Sequence, residues 1–175
     1  MIIYFNIPGL GGSDTEHWQT YFEKSSESMI RIEQKDWDSP ECEDWINTIE
    51  KKLQPYYDKH EIVLIGHSLG CATIAHWAKK FKKTIKGALL VAPSDIENPA
   101  YTFPANGFTP MPLEKINFKT VVVYSTDDPW VSVERASYFA KCWGSELRSV
   151  GNAGHINVAS GYGVWEEGQH ILKSI

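Results

Sequence analysis

A serine flanked by glycines is the first candidate for chemistry in this chain. Residues 66–70 read Gly-His-Ser-Leu-Gly, so the hydroxyl of Ser68 lies at the centre of a G-x-S-x-G pattern. A serine hydroxyl is a weak nucleophile until a base takes its proton, and an acid must orient that base. Because such a short pattern also occurs by chance, the residues around it decide whether it carries function.

The context of Ser68 is a predicted buried strand that runs straight into a predicted helix. Residues 62–65 form a continuous apolar run, typical of a strand covered on both faces of a parallel sheet, and residues 71–80 have helical character. A strand that turns at once into a helix holds its apex residue in a strained conformation, and the two glycines leave room for the close approach. The helix start points free N–H groups at the apex. The sequence therefore predicts a nucleophile elbow at Ser68, with an ordinary strand-to-helix turn as the alternative.

His155 is the predicted base. In hydrolases with such an elbow the order along the chain is serine, acid, histidine, and the site lies at the carboxyl ends of parallel strands. His155 follows a predicted strand at residues 145–150 and lies in a loop that contains glycine. The other late histidine, His170, falls inside the last predicted helix, where a structural role is expected.

The acid is one of two adjacent aspartates. Asp127 and Asp128 follow a predicted strand at residues 120–125. Asp128 precedes a proline, which favours an extended conformation leading away from the strand end, so Asp128 is preferred. Asp127 would then cap the turn or the next helix. Asp95, after the preceding predicted strand, is the remaining candidate.

An oxyanion needs two hydrogen-bond donors. The backbone N–H of Leu69, next to the nucleophile, is one candidate, and the N–H of Leu10 in the glycine-rich loop after the first strand is the other. The rival interpretation of this loop is a dinucleotide site. It is disfavoured because Asp14 occupies the position of the third glycine, and its carboxylate would repel a pyrophosphate.

Strands alternate with helices along the whole sequence. This pattern predicts right-handed crossovers and an α/β fold, with a mostly parallel sheet of about six strands between two layers of helices. The result is a three-layer α/β/α sandwich, expected to form a single domain over residues 1–175. Three aromatic residues near strand ends or in the long loop are candidates to line a substrate pocket: Trp18, Phe108 and Trp130.

Composition excludes several classes of function. The net charge of −5 disfavours nucleic acid and anionic membranes as partners. The three cysteines show no metal-binding or disulfide spacing. The N-terminal residues lack a signal-peptide pattern and no segment is long enough for a membrane span. We therefore expect a reduced, cytoplasmic protein that needs no metal or cofactor.

A set of motifs is distributed over nearly the whole chain, at residues 8–9, 13, 17–18, 66–70, 125–129, 154–157 and 160–165. Through these motifs the chain resembles the small, lidless serine hydrolases of the α/β-hydrolase superfamily related to retinoblastoma-binding protein nine. The resemblance implies a minimal α/β-hydrolase fold without a lid domain, a triad of Ser68, Asp128 and His155, and hydrolysis of ester or amide bonds.

The sequence departs from the family pattern in two places. Glu166 stands where bacterial members often have proline, which should affect only the start of the last helix. The L-x-C-x-E segment tied to the retinoblastoma partner is absent, since residues 40–44 read Pro-Glu-Cys-Glu-Asp. The resemblance therefore does not predict binding to the retinoblastoma partner, and the sequence identifies no other protein partner.

These observations predict a carboxylesterase-like serine hydrolase that cleaves ester, and by extension amide or thioester, bonds of small molecules. The alternative is a non-catalytic protein- or ligand-binding module on the same scaffold.

Overall fold

Six parallel strands form one sheet, in the order β2-β1-β3-β4-β5-β6. The computed structural model describes all of residues 1–175. The strands are β1 (Ile2–Ile7), β2 (Met29–Arg31), β3 (Glu61–His67), β4 (Gly87–Val91), β5 (Lys119–Tyr124) and β6 (Glu146–Ser149). The helices are α1 (Trp18–Ser25), α2 (Cys42–Leu53), α3 (Leu69–Phe81), α4 (Val133–Trp143) and α5 (Glu166–Leu172), with short 3-10 turns at Gln54–Tyr56 and Val158–Ser160.

The two faces of the sheet bury two separate apolar cores. Successive side chains of a strand point to opposite faces, so Leu64 packs with α2, α3 and α4, whereas its neighbours Val63 and Ile65 pack with α1 and α5. The central strands β3 and β4 are buried on both faces, which explains their continuous apolar runs. The predicted three-layer sandwich is confirmed, and no lid domain covers it.

Helix α1 begins later than the sequence suggests. Residues 13–15 resemble a helix start, but α1 begins at Trp18, and the N-cap is His17, whose Nδ1 accepts a hydrogen bond from the N–H of Gln19 at 3.2 Å. No helix lies between β4 and β5. Instead, residues 92–118 cross the molecule as an irregular segment whose apolar side chains join the core.

The margins of the sheet are short strands. At one edge β2 has 3 residues, and at the other β6 has 4 residues, all at least partly exposed, which include Glu146 and Arg148. None of the helices combines the length and apolar character that crossing a bilayer requires.

Candidate active site

Ser68 is the apex of a strained turn between β3 and α3. Its backbone has φ 56° and ψ −123°, a conformation that side-chain-bearing residues rarely adopt. Its N–H donates to the carbonyl oxygen of Val91 at 3.0 Å, which fixes the turn to the end of β4. The close approach needs glycine, because a Cβ on Gly70 would lie 2.0 Å from the carbonyl oxygen of Ile7. The turn therefore has the geometry that the glycine spacing predicts.

Ser68, His155 and Asp128 form a continuous hydrogen-bonded chain. The Oγ of Ser68 lies 2.9 Å from Nε2 of His155. On the other side of the ring, Nδ1 lies 3.0 Å and 2.9 Å from the two carboxylate oxygens of Asp128. The Asp128 side chain is 0% exposed. Since a carboxylate only accepts, Nδ1 carries a proton, and in the neutral ring Nε2 offers its lone pair to the Ser68 hydroxyl.

The neighbouring aspartate holds the loop that carries His155. Oδ1 of Asp127 accepts hydrogen bonds from the hydroxyl of Ser125 at 2.7 Å and from the N–H groups of Ala153 and Gly154 at 2.9 Å and 2.8 Å. These donors, with the Ser125 hydroxyl first, lower the pKa of the Asp127 carboxyl. Asp127 therefore positions the histidine loop and does not touch the histidine ring.

Asp95 is committed to a different partner. Its two carboxylate oxygens accept from Nε and Nη2 of Arg135 at 2.9 Å and 3.0 Å, in a bidentate ion pair. The structure does not bring this third candidate acid to His155.

The glycine-rich loop after β1 lies directly against the elbow. A Cβ on Gly9 would lie 2.9 Å from the Cβ of Ser68 and 3.0 Å from the backbone nitrogen of Leu69, so the two backbones touch. The N–H of Leu10 donates no hydrogen bond. The N–H of Leu69 belongs to the first turn of α3, where N–H groups have no acceptor within the helix. Both N–H groups are thus free beside Ser68.

Three histidine rings lie in a row, tilted by 60° and 50° against one another, and the sequence patterns assigned no chemical role to His17 or His67. The ring centroids of His17 and His67 are 4.8 Å apart, and those of His67 and His155 are 5.0 Å apart. Nε2 of His67 donates to the carbonyl oxygen of His155 at 2.9 Å. Burial lowers the pKa of His17 to about 4 and the pKa of His67 well below its ordinary value, so both rings are neutral at pH 7. The position of His67 inside the G-x-S-x-G pattern was the sequence feature that could have indicated its place beside the site.

Two cavities meet at Ser68 and His155. The first, of about 260 Å³, is polar; it is lined by the glycine-rich loop, by Asp14 and His17, and by residues 157–159. The second, of about 150 Å³, is aromatic. Its remaining lining residues are Leu10, Ser94, Tyr101, Phe103 and Trp130.

Of the three aromatic residues predicted to line a substrate pocket, only Trp130 borders one of the two cavities at Ser68. Trp18 and Phe108 are both 0% exposed and border neither cavity, so their assignment is corrected. The Nε1 of Trp18 donates to the carbonyl oxygen of Ile156 at 2.9 Å, so this side chain is part of the core beneath the histidine loop. Phe108 packs edge-on against Trp45 in the opposite core.

Ser94 is a further residue that sequence reasoning passed over. Its Oγ lies 2.9 Å from the Oγ of Ser68, and the residue is 1% exposed. A polar residue just beyond the end of a buried strand, here β4, was the signal that could have found it.

Other reactive groups make no hydrogen bond with the Ser68 side chain. Cys71 is 0% exposed, its Sγ donates to the carbonyl oxygen of Val91, and burial raises the pKa of its thiol. No three His, Cys, Asp or Glu side chains are placed to hold a metal ion. A larger cavity, of about 450 Å³ between α3 and residues 112–117, contains none of the site residues.

Comparison with known proteins relates the chain to hydrolases. A family model described as serine hydrolase matches residues 4–174. A protein described as a YdeN-like hydrolase from Pectobacterium atrosepticum is 32% identical, with a TM-score of 0.86 and coverage of 98% of this chain and 89% of that one. The ydeN gene product of B. subtilis is 20% identical, with a TM-score of 0.80 and coverage of 99% and 97%.

A more distant structure shares the fold alone. Est1E from Butyrivibrio proteoclasticus, solved with ferulic acid, is 14% identical, with a TM-score of 0.69 and coverage of 99% of this chain and 89% of that one. No curated protein matches the chain.

Proposed function

Because this chain belongs to the serine hydrolase family, we propose that it cleaves carboxylic esters of small molecules through an acyl-enzyme on Ser68. The observation that carries the proposal is the chain of short contacts, 2.9 Å from Ser68 Oγ to His155 Nε2 and 2.9 Å from His155 Nδ1 to Asp128. A nucleophile, a base and an orienting acid need this order and these distances.

In the acylation step, Nε2 of His155 takes the Ser68 proton as Oγ attacks the ester carbonyl. The buried carboxylate of Asp128 stabilises the imidazolium that forms. The free N–H groups of Leu69 and Leu10 hydrogen-bond the oxyanion, because both lie beside Ser68 without another acceptor. His155 then gives its proton to the leaving alcohol, and the same ring activates the water that releases the acid.

The two cavities support a substrate of modest size. Space of about 150 Å³ beside Trp130 and Phe103 suits one ring or a short aliphatic chain, since a cavity of that size in another protein holds benzene. The polar cavity of about 260 Å³ suits the rest of the molecule. Amide and thioester bonds pass through the same tetrahedral intermediate, so they belong to the same proposal. The net charge of −5 gives no support to nucleic acid as substrate.

A fluorophosphonate probe tests the proposal directly. The folded protein should be labelled on Ser68 and should hydrolyse short p-nitrophenyl esters, while Ser68→Ala should do neither. Activity should fall as the acyl chain outgrows the aromatic cavity. Wild-type protein that is folded, stays unlabelled and hydrolyses no ester of the panel would overturn the proposal and favour a non-catalytic binding module.

A further inference from the structure

The hydroxyl of Ser94 has one hydrogen-bond partner, the Ser68 hydroxyl. The two Oγ atoms are 2.9 Å apart, and no other side-chain hydrogen bond of Ser94 is formed. Ser94 is 1% exposed, so solvent offers almost no alternative. A buried hydroxyl in contact with the attacking oxygen affects how well that oxygen can bear negative charge, so its role must be explained.

The direction of this hydrogen bond follows from counting protons. In the reactive form, Nδ1 of His155 donates to the Asp128 carboxylate, so Nε2 has a lone pair and must accept from Ser68. The single proton of Ser68 is thereby used. The bond of 2.9 Å to Ser94 can then form only if Ser94 is the donor.

We propose that Ser94 is a catalytic hydrogen-bond donor to the attacking oxygen of Ser68, an inference that rests on the proposed hydrolase function. As the Ser68 proton moves to His155 Nε2, negative charge develops on Oγ, and the bond donated by Ser94 strengthens. When Oγ bonds to the ester carbon, the carbonyl electron pair moves to the oxyanion and Ser94 keeps its own proton. In deacylation the Oγ–carbon bond breaks, charge returns to Oγ, and Ser94 stabilises it again until His155 returns the proton.

A hydrogen-bond donor stabilises developing charge best when its position is set before the reaction begins, and the backbone on both sides of Ser94 is held in place. Ala92 has φ 49°, an unfavourable value for a non-glycine residue, and its N–H donates to the carbonyl oxygen of Val123 at 2.8 Å. On the other side, the N–H of Asp95 donates to the carbonyl oxygen of Trp130 at 2.8 Å. The bidentate pair of Asp95 with Arg135 then attaches this turn to α4.

Substitutions at position 94 separate a catalytic donor from a structural residue. Ser94→Ala should lower kcat for p-nitrophenyl butyrate about tenfold to a hundredfold, the range for losing a hydrogen bond to a charged oxygen, with little change in KM. The rate of fluorophosphonate labelling should fall by a similar factor, since labelling requires the same attack. Ser94→Thr, which keeps the hydroxyl, should restore most of the rate, and Ser94→Cys, a weaker donor of similar size, should lie between.

A matched control is available at the opposite end of β5. Ser145→Ala removes a hydroxyl pair with Thr120, whose oxygens are 2.6 Å apart, without touching the site, so it should leave kcat unchanged. Urea unfolding of each variant checks that the fold persists.

The outcomes distinguish this inference from the proposed function. An unlabelled, inactive wild type would refute the hydrolase proposal itself. An active wild type whose kcat and labelling rate survive Ser94→Ala would overturn only the role of Ser94. Loss of rate that Ser94→Thr does not rescue, or that appears only as a raised KM, would also count against a donor.

Discussion

Two adjacent aspartates differ in what they touch although they have the same chemistry. Asp128 has a fully buried side chain in contact with the His155 ring, whereas Asp127 accepts from the backbone of the loop that carries His155. Consecutive residues at a turn direct their side chains differently, so one carboxylate reaches the ring and the other the loop backbone.

This difference predicts unequal effects of removing each charge. Asp128→Asn should lower kcat about 10⁴-fold, because an amide in place of the carboxylate favours the wrong tautomer of His155. Asp127→Asn should cost far less in kcat and should mainly reduce stability, because an amide oxygen accepts more weakly from the Ala153 and Gly154 N–H groups. Steady-state kinetics and urea unfolding of both variants measure the two effects.

Equal losses of kcat in the two variants, with both folded, would contradict the assignment of separate roles. Asp95→Asn is the third arm of the comparison. It removes a carboxylate that pairs with Arg135 and does not contact His155, so it should leave the tautomer of the ring unaffected.

At the scale of helices and strands, the sequence predicts those features that show a clear periodicity or a fixed glycine spacing. The apolar runs of β3 and β4 and the turn at Ser68 reflect local constraints, and the six-stranded parallel sheet follows from their alternation with helices. Helix α1 begins later than its sequence suggests, since Asp14 resembles a cap, whereas the turn at residues 14–17 delays the helix until His17 caps it. The local sequence pattern alone does not decide whether Asp14 or His17 caps the helix.

The aromatic residues show the other limit of sequence reasoning. Trp18, Phe108 and Trp130 lie in comparable positions near strand ends or in loops, yet only Trp130 borders the cavity at Ser68. Large aromatic side chains gain most by full burial, and which of them is buried depends on distant residues such as Ile156 and Trp45. The Ser68–Ser94 contact likewise depends on residues that are distant in the sequence, since it joins the ends of two strands.

The contact between the glycine-rich loop after β1 and the elbow predicts a selective loss of activity. Gly9→Ala would bring a Cβ within 3.0 Å of the elbow backbone, so the loop must move and carry the Leu10 N–H away from Ser68. We expect kcat to fall about a hundredfold, the effect of losing one oxyanion donor, with a smaller effect on the unfolding free energy. Gly151→Asn is the control, because asparagine tolerates the φ of 71°, a Cβ there meets no atom within 4 Å, and Gly151 borders neither cavity. Equal losses in both variants would refute the specific role of Gly9.

The ion pair between Asp95 and Arg135 predicts a stability effect with a diagnostic rescue. The side chains are 6% and 31% exposed. Arg135→Met leaves a nearly buried carboxylate without its partner, and because the arginine is partly solvated we expect a loss of about 1–3 kcal/mol in unfolding free energy. Adding Asp95→Asn should recover part of this loss, as a double-mutant cycle in urea would measure. Additive losses in the double variant would contradict direct coupling.

For the whole molecule, the buried histidines His17 and His67 predict acid sensitivity. His17 keeps a pKa of about 4 in the folded protein against an ordinary value of 6.5, and burial lowers the pKa of His67 as well. Between these values the unfolded chain binds more protons than the folded one, so the unfolding free energy must fall as the pH falls below about 6.5. The expected slope is about 1 kcal/mol per pH unit for each such histidine. Urea unfolding between about pH 5 and pH 7 measures it, above the range in which most carboxylates titrate.

His17→Asn is the matched variant for this test. Asparagine can still cap α1 by accepting from Gln19, but it does not titrate. The slope should therefore become shallower by the contribution of one histidine. An unchanged slope would show that His17 takes up no proton on unfolding.

The short outer strands of the sheet bear on self-association. A long, flat outer strand offers unpaired N–H and C=O groups on which another chain can add, as in fibril growth. Here β2 offers 3 residues and β6 offers 4, with the charged side chains of Glu146 and Arg148 beside the free edge. A second molecule would gain few hydrogen bonds there and would have to desolvate those charges. Concentrated solutions of the native protein should accordingly resist edge-to-edge polymerisation, although its central strands are among the most apolar segments of the chain.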